Sequence, residues 1–217
     1  MTLDLFPDPD DVQPSQVPIC PGAVLLRRFA LPHETEIWQA LQTILALAPF
    51  RHMMTPGGFR MSVAISNCGT LGWVTDQHGY RYTRLNPDSN QPWPVMPASF
   101  LQLAHAAALT AGFTDFVPDA CLINRYEPGA RMSLHQDKNE RDFTQPIVSV
   151  SLGLPAIFQF GGMQRSDKTV RVPLAHGDVV VWGGSSRLHF HGVLPLKAGQ
   201  HPLLGAQRIN LTFRKAG

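Results

Sequence analysis

From Ala120 onward the chain is written in short apolar runs, several of them alternating with polar residues, each closed by a turn signal. Cys121–Tyr126, Ile147–Leu152, Ala156–Phe160, Thr169–Pro173, Asp178–Trp182, Val193–Leu196 and Arg208–Phe213 predict strands. Pro128-Gly129, Gly161-Gly162, His176-Gly177-Asp178, Gly183-Gly184 and Lys197-Ala198-Gly199 supply the reversals between them. Many short strands at regular spacing bury their apolar faces by stacking as two sheets. A double-stranded β-helix, the jelly roll, suits this pattern.

The N-terminal half changes period. Ala23–Arg28 has strand character, and then Pro32-His33-Glu34 opens a helix whose Ile37, Leu41, Ile44, Leu45 and Ala48 follow helical spacing up to Pro49. A second helix is predicted from Pro97 to Ala111, with Phe100, Leu103, Ala104 and Ala107 as its inner stripe and Gly112 as its stop. The fold class is α+β, mainly β. Residues 1–21 carry five prolines and read as an extended lead-in, leaving 22–217 as a single domain with its jelly-roll core over 118–214. Residues 54–95, rich in glycine and aromatics, read as hairpins and loops laid over that core.

Composition narrows the class. A hydrophobic content of 44% in 217 residues excludes a disordered chain. The net charge of +2, with no run of five like charges, permits nucleic acid to bind in a groove but offers no polycationic arm. Cys20, Cys68 and Cys121 form no CxxC, which argues against a disulfide framework and against a cysteine-based zinc or Fe–S site. Met1–Asp11 is acidic and proline-interrupted, so neither a signal nor a transit peptide is expected. No apolar stretch reaches the roughly 18 residues that span a bilayer. The expectation is a cytoplasmic, monomeric enzyme with no membrane contact and no obligate protein partner.

The candidate chemistry begins at His135-Gln136-Asp137. Strand side chains alternate, so His-x-Asp sends an imidazole and a carboxylate to the same face. Those are two ligands of the 2-His-1-carboxylate triad that leaves coordination positions of Fe(II) open. An isolated His-x-Asp is more often an ordinary strand end and turn. A downstream histidine raises its weight, yet spacing leaves His189, His191 and His176 all open as the third ligand, with His191 slightly favoured by the strand that follows it.

Near the C-terminus Arg208, Asn210, Thr212 and Arg214 alternate with Ile209, Leu211 and Phe213, giving one cationic face and one apolar face. A solvent-facing edge strand would show the same alternation. Beside a metal, two arginines six apart offer fixed forks for the carboxylates of one small diacid. Asn124 and Tyr126 share a face of another predicted strand and could complete that site.

Asn124-x-Tyr126, His135-x-Asp137, His191-Gly192 and Arg208-x5-Arg214, with long blocks such as 54–73, 146–162 and 176–184, resemble the AlkB family of Fe(II)/2-oxoglutarate dioxygenases over nearly the whole chain. The resemblance implies His191 as the third ligand and Fe(II), 2-oxoglutarate and O2 as cofactor and co-substrates. Arg208, Asn210, Arg214, Asn124 and Tyr126 would hold the 2-oxoglutarate. The implied reaction is oxidative demethylation of 1-methyladenine and 3-methylcytosine in DNA or RNA, by an oxidant formed at the metal with no separate acid or base. Such a base must leave the stack. Trp73 and Tyr80 then fall at stacking and backbone-contact positions in a nucleotide-recognition lid, and Thr55, Lys138 and Arg165 at further nucleic-acid positions. A buried core aromatic is the other reading of Trp73.

One position departs. The family pattern after the ligand carboxylate is Asp-Lys-Asp, and this chain has Asp137-Lys138-Asn139, which bears on substrate preference. The rival classes are a Fe(II)/2-oxoglutarate hydroxylase of proteins or small molecules, and a non-enzymatic metal-binding jelly roll.

Overall fold

A computed structural model describes residues 15–217. The strands are β1 (Gln16–Cys20), β2 (Ala23–Leu26), β3 (Arg51–Met54), β4 (Arg60–Gly69), β5 (Gly72–Asp76), β6 (Gly79–Thr83), β7 (Ala120–Tyr126), β8 (Met132–His135), β9 (Ile147–Gly153), β10 (Ala156–Phe160), β11 (Val170–Leu174), β12 (Val179–Trp182), β13 (His191–Val193) and β14 (Arg208–Arg214). The helices are α1 (Glu34–Leu47) and α2 (Ala98–Thr110). An eight-stranded sheet in the order β1-β2-β12-β9-β14-β7-β4-β3 faces a four-stranded sheet, β11-β10-β13-β8, and β5-β6 stands apart as a hairpin. This is the jelly roll. No helix among the described residues is long and apolar enough to cross a membrane.

Strand period two builds both layers of the core. β14 pairs with β7 on one side and β9 on the other, so it lies mid-sheet and is not a solvent-facing edge. Its Ile209, Leu211 and Phe213 join Val148 and Val150 of β9 against Ile37, Leu41, Phe100 and Leu103 of the helices. The opposite face looks toward the small sheet, where Tyr126, Phe158, Phe160 and Trp182 form a second apolar cluster. Both helices run within one or two residues of the predicted limits, because their stripes face an apolar sheet.

Three expectations change. Of the lead-in, residues 1–14 lie outside the described residues, and Gln16–Cys20 pairs with β2 as an edge strand of the large sheet. Residues 54–95 divide: β4 is framework, paired to β7 along most of its length, while β5-β6 carries the overlying part. The strand predicted at Val193–Leu196 instead covers His191–Val193. Pro195 has no N–H for a ladder and biases its predecessor, so pairing stops before it.

Candidate active site

β8 and β13 are neighbours with His135 directly opposite His191. Gly192 makes their close approach possible, because a Cβ there would stand 2.7 Å from the Met132 carbonyl oxygen. The two rings lie 4.5 Å apart. Asp137, just past the end of β8, faces the same way, its oxygens 3.7 Å from His135 Nε2 and 3.6 Å from His191 Nε2. One ligand atom from each of the three lies within 4.8 Å of the others, the one such group of His, Cys, Asp and Glu among the described residues.

The donors are aimed from behind. His135 Nδ1 lies 2.9 Å from the Ser133 carbonyl and His191 Nδ1 lies 3.0 Å from the His189 carbonyl. A carbonyl only accepts, so both Nδ1 atoms carry the proton and both Nε2 lone pairs face the carboxylate. Burial beside His191 lowers the His135 pKa to about 4, against the pull of Asp137, which keeps the ring neutral and ready to ligate. Burial opposes the charge on Asp137. Arg214 and the two imidazoles outweigh it and hold the carboxyl well below its ordinary range. Of the three histidines left open as third ligand, His191 is the one placed in the group. His189 packs against Phe160 and His176 pairs with Glu34 at 2.7 Å, neither in the group.

The triad sits in a cavity of about 490 Å³ that is also lined by Trp73, Tyr80, Asn124, Tyr126, Arg208 and Arg214. The arginines of β14 differ in kind. Arg214 donates from Nη2 and Nε to Asp137 Oδ2 at 2.6 and 3.1 Å. Arg208 donates from Nε to Ser151 at 2.9 Å and lies over the Tyr126 ring, while its buried Nη1 has no protein partner. Asn124 Oδ1 is likewise buried and unpartnered. A buried guanidinium N–H without an acceptor carries a desolvation cost that an anion would remove. The donor set therefore fits a metal with open positions beside a small diacid. Asn210 offers less than predicted: its amide donates to Ser149 and to the Val150 carbonyl at 2.8 Å each, so it shapes the wall.

Around the mouth stand Thr55, Arg131, Lys138, Asn139 and Arg165. Trp73 is half-buried and stacks on Tyr80 with centroids 5.6 Å apart, so one edge of it serves the cavity and it is not a sealed core residue. Sequence reasoning passed over Tyr82, Glu140 and Arg187, which surround Asp137 and Arg214. Glu140 lies in the polar run Lys138-Asn139-Glu140-Arg141-Asp142 and carries no burial signal.

A jelly roll that gathers two imidazoles and a carboxylate beside a buried cationic fork defines an iron- and 2-oxo-acid-dependent oxygenase. Residues 22–214 match the 2OG-Fe(II) oxygenase superfamily. The chain is 58% identical over 215 residues to the alpha-ketoglutarate-dependent dioxygenase AlkB of Escherichia coli, covering 99% of this chain and 98% of that one. It is 56% identical over 214 residues to the Salmonella typhimurium protein of the same name, with the same coverage. The human nucleic acid dioxygenase ALKBH1 is 32% identical over 123 residues, 57% of this chain and 31% of that one. Among solved structures OsALKBH1 superposes with a TM-score of 0.81 at 27% identity, covering 93% of this chain and all of that one. The chain belongs to the AlkB family and is a dioxygenase dependent on Fe(II), 2-oxoglutarate and O2.

Proposed function

We propose that this dioxygenase demethylates N-alkylated bases in DNA and RNA, with 1-methyladenine and 3-methylcytosine as the lesions carried over from the family. The supporting observation is one cavity that joins the triad to a half-buried indole and a rim of Arg131, Lys138 and Arg165. An aromatic face suits an unstacked base and the rim cations suit its phosphates. The names of relatives agree, since one is a fission-yeast tRNA demethylase and another an Arabidopsis DNA N(6)-methyladenine demethylase.

His135, Asp137 and His191 would hold Fe(II), with both Nε2 atoms preset by backbone carbonyls. Arg208 Nη1 would take the distal carboxylate of 2-oxoglutarate, with Asn124 and Tyr126 completing that end and Asn210 bracing it. Arg214 keeps Asp137 ionised and oriented. With iron, 2-oxoglutarate and O2 bound, the centre supplies the oxidant that hydroxylates the N-methyl carbon. The hemiaminal so formed on the base loses formaldehyde unaided, and no side-chain acid or base is assigned. Trp73 and Tyr80 would present the base, while Thr55, Lys138, Asn139 and Arg165 line its approach. Phe158 and Trp182 give the chamber a dry wall.

Mass spectrometry of methylated oligonucleotides after incubation with iron, 2-oxoglutarate and O2 tests the reading. Loss of the methyl mass with stoichiometric succinate is expected. Succinate release on peptides or small molecules with oligonucleotides untouched would overturn it.

A further inference from the structure

Arg214 is held from a second direction. Its Nη1 donates to the Tyr82 hydroxyl at 3.2 Å, and its Nε lies 3.6 Å from Glu140 Oε1. The Tyr82 hydroxyl in turn donates to Glu140 Oε1 at 2.6 Å. The other Glu140 oxygen accepts from Arg187 Nη2 at 3.1 Å, and Arg187 Nη1 donates to the backbone carbonyl of Asp137 at 2.8 Å. The side chains of Glu140, Arg187, Arg214 and Asp137 are 1, 3, 5 and 9% exposed. Two guanidiniums and the Glu140 carboxylate thus close around the metal-facing aspartate, and the phenol that completes the ring comes from the β5-β6 hairpin. Burial pushes the Tyr82 hydroxyl upward despite Arg214, so it remains a proton donor.

β5 is fixed to the framework, where Asn67 of β4 exchanges two hydrogen bonds with the Trp73 backbone and Val74 is buried in the core. β6 pairs with β5 alone and is held besides by Trp93 at the Thr83 carbonyl and by the Tyr82 hydroxyl at Glu140. Tyr82 stands directly across from Trp73 in the register, so the cavity-facing indole and the half-buried phenol form one cross-strand pair. Tyr80, two residues away on the same face, stacks on that indole. A ligand that settles on Trp73 therefore bears on the residue that holds Arg214.

We propose that Tyr82 is a positioning residue that couples the β5-β6 hairpin to Asp137, so that nucleic acid on the hairpin and iron on the triad tighten each other's binding. The identity of the hairpin's ligand rests on the demethylase reading; the Tyr82–Glu140–Arg214 arrangement does not. Without the phenol, Glu140 Oε1 is free to compete with Asp137 for Arg214, from which it is only 3.6 Å away.

Tyr82→Phe keeps the ring and removes the hydroxyl. Iron binding is followed anaerobically with 2-oxoglutarate by the metal-to-ligand charge-transfer band, with and without single-stranded DNA carrying one 1-methyladenine. In protein alone the variant is expected to bind iron about tenfold more weakly, the usual size for losing a hydrogen bond to charged groups. In the unmodified enzyme the oligonucleotide is expected to tighten iron binding about fivefold or more, and reciprocity requires the same factor in the other direction. In Tyr82→Phe that factor falls to near one. Hydrogen exchange of the metal-free variant should quicken across residues 72–83. Glu140→Asp, which withdraws the acceptor from the other end, should lower the factor too. Iron affinity and linkage factor both unchanged in Tyr82→Phe, or no linkage in the unmodified enzyme, overturn the proposal. If the unmodified enzyme binds no methylated oligonucleotide, the demethylase reading fails instead, and the arms without nucleic acid decide whether Tyr82 positions Asp137.

Discussion

The indole N–H of Trp73 donates to the side-chain oxygen of Asn139 at 3.2 Å. An indole can only donate, so the contact orients the amide, with its oxygen toward Trp73 and its NH2 without a hydrogen-bond partner among the described residues. Neutral Asn139 lines a cavity whose charged members are Arg131, Lys138, Arg165, Arg208, Arg214 and the paired Asp137. A base entering there meets a donor and a positive surround. Asn139→Asp should therefore raise turnover of cationic 1-methyladenine and 3-methylcytosine relative to neutral 1-methylguanine and 3-methylthymine. A charged hydrogen bond is worth about 1.5 kcal/mol or more, so the ratio should move about tenfold. Competition among the four lesions in one oligonucleotide context measures it. A constant ratio would remove Asn139 from the base site.

Replacing His135 or His191 with Ala should abolish turnover. Urea stability should change little at half-exposed His135 and fall by about 1 kcal/mol or more at His191, whose buried ring packs on Phe158, Phe160 and Trp182. Asp137→Ala should also abolish turnover but lose about 3 kcal/mol of stability, since it strips Arg214 of its closest counter-charge in a buried place. Retained turnover in His191→Ala would mean that another histidine completes the triad.

Arg208→Ala should weaken 2-oxoglutarate binding by about 2–5 kcal/mol, the range for truncating one partner of a buried charge pair. Lysine at 208 should rescue only in part, for want of the planar fork. Titration of the charge-transfer band with 2-oxoglutarate decides it, and an unchanged affinity would show that the unpartnered Nη1 faces something else.

Trp73→Ala should lower affinity for methylated oligonucleotide by roughly 1–3 kcal/mol, the range for one stacked base. Fluorescence anisotropy under argon reads it without turnover. Equal affinity in the variant would return Trp73 to a packing role.

Asp178 accepts from Arg27 Nη1 at 2.7 Å, from Ala175 N at 2.8 Å and from Arg28 N at 2.9 Å, and is 1% exposed. Asp178→Ala should lose about 3 kcal/mol in urea denaturation, by leaving those donors without a buried acceptor. A loss below about 0.5 kcal/mol, the scale of an ordinary surface change, would show that the carboxylate does not hold β2 to β12.

The strands and helices were legible because each carries a short-range period that its burial obeys. Ile209, Leu211 and Phe213 announce an apolar face whether or not their partners are known, and His135 and Asp137 share a face for the same reason. Val193–Leu196 was misplaced where a proline's missing N–H outweighed the apolar pattern.

By itself the chain determined its elements, its layered class, and the donor types at 135, 137, 208 and 214, since these follow from residue chemistry and local spacing. Tertiary structure decided which histidine joins the triad, because His189 and His191 are two apart and only the register of β13 against β8 puts His191 opposite His135. It also decided that Arg208 keeps a buried free donor while Arg214 is taken by Asp137. And it drew Tyr82, Glu140 and Arg187 into the site from three unconnected stretches of the chain. Pair energies depend on distance and burial, and for residues fifty or a hundred apart those come into being only when the sheets close.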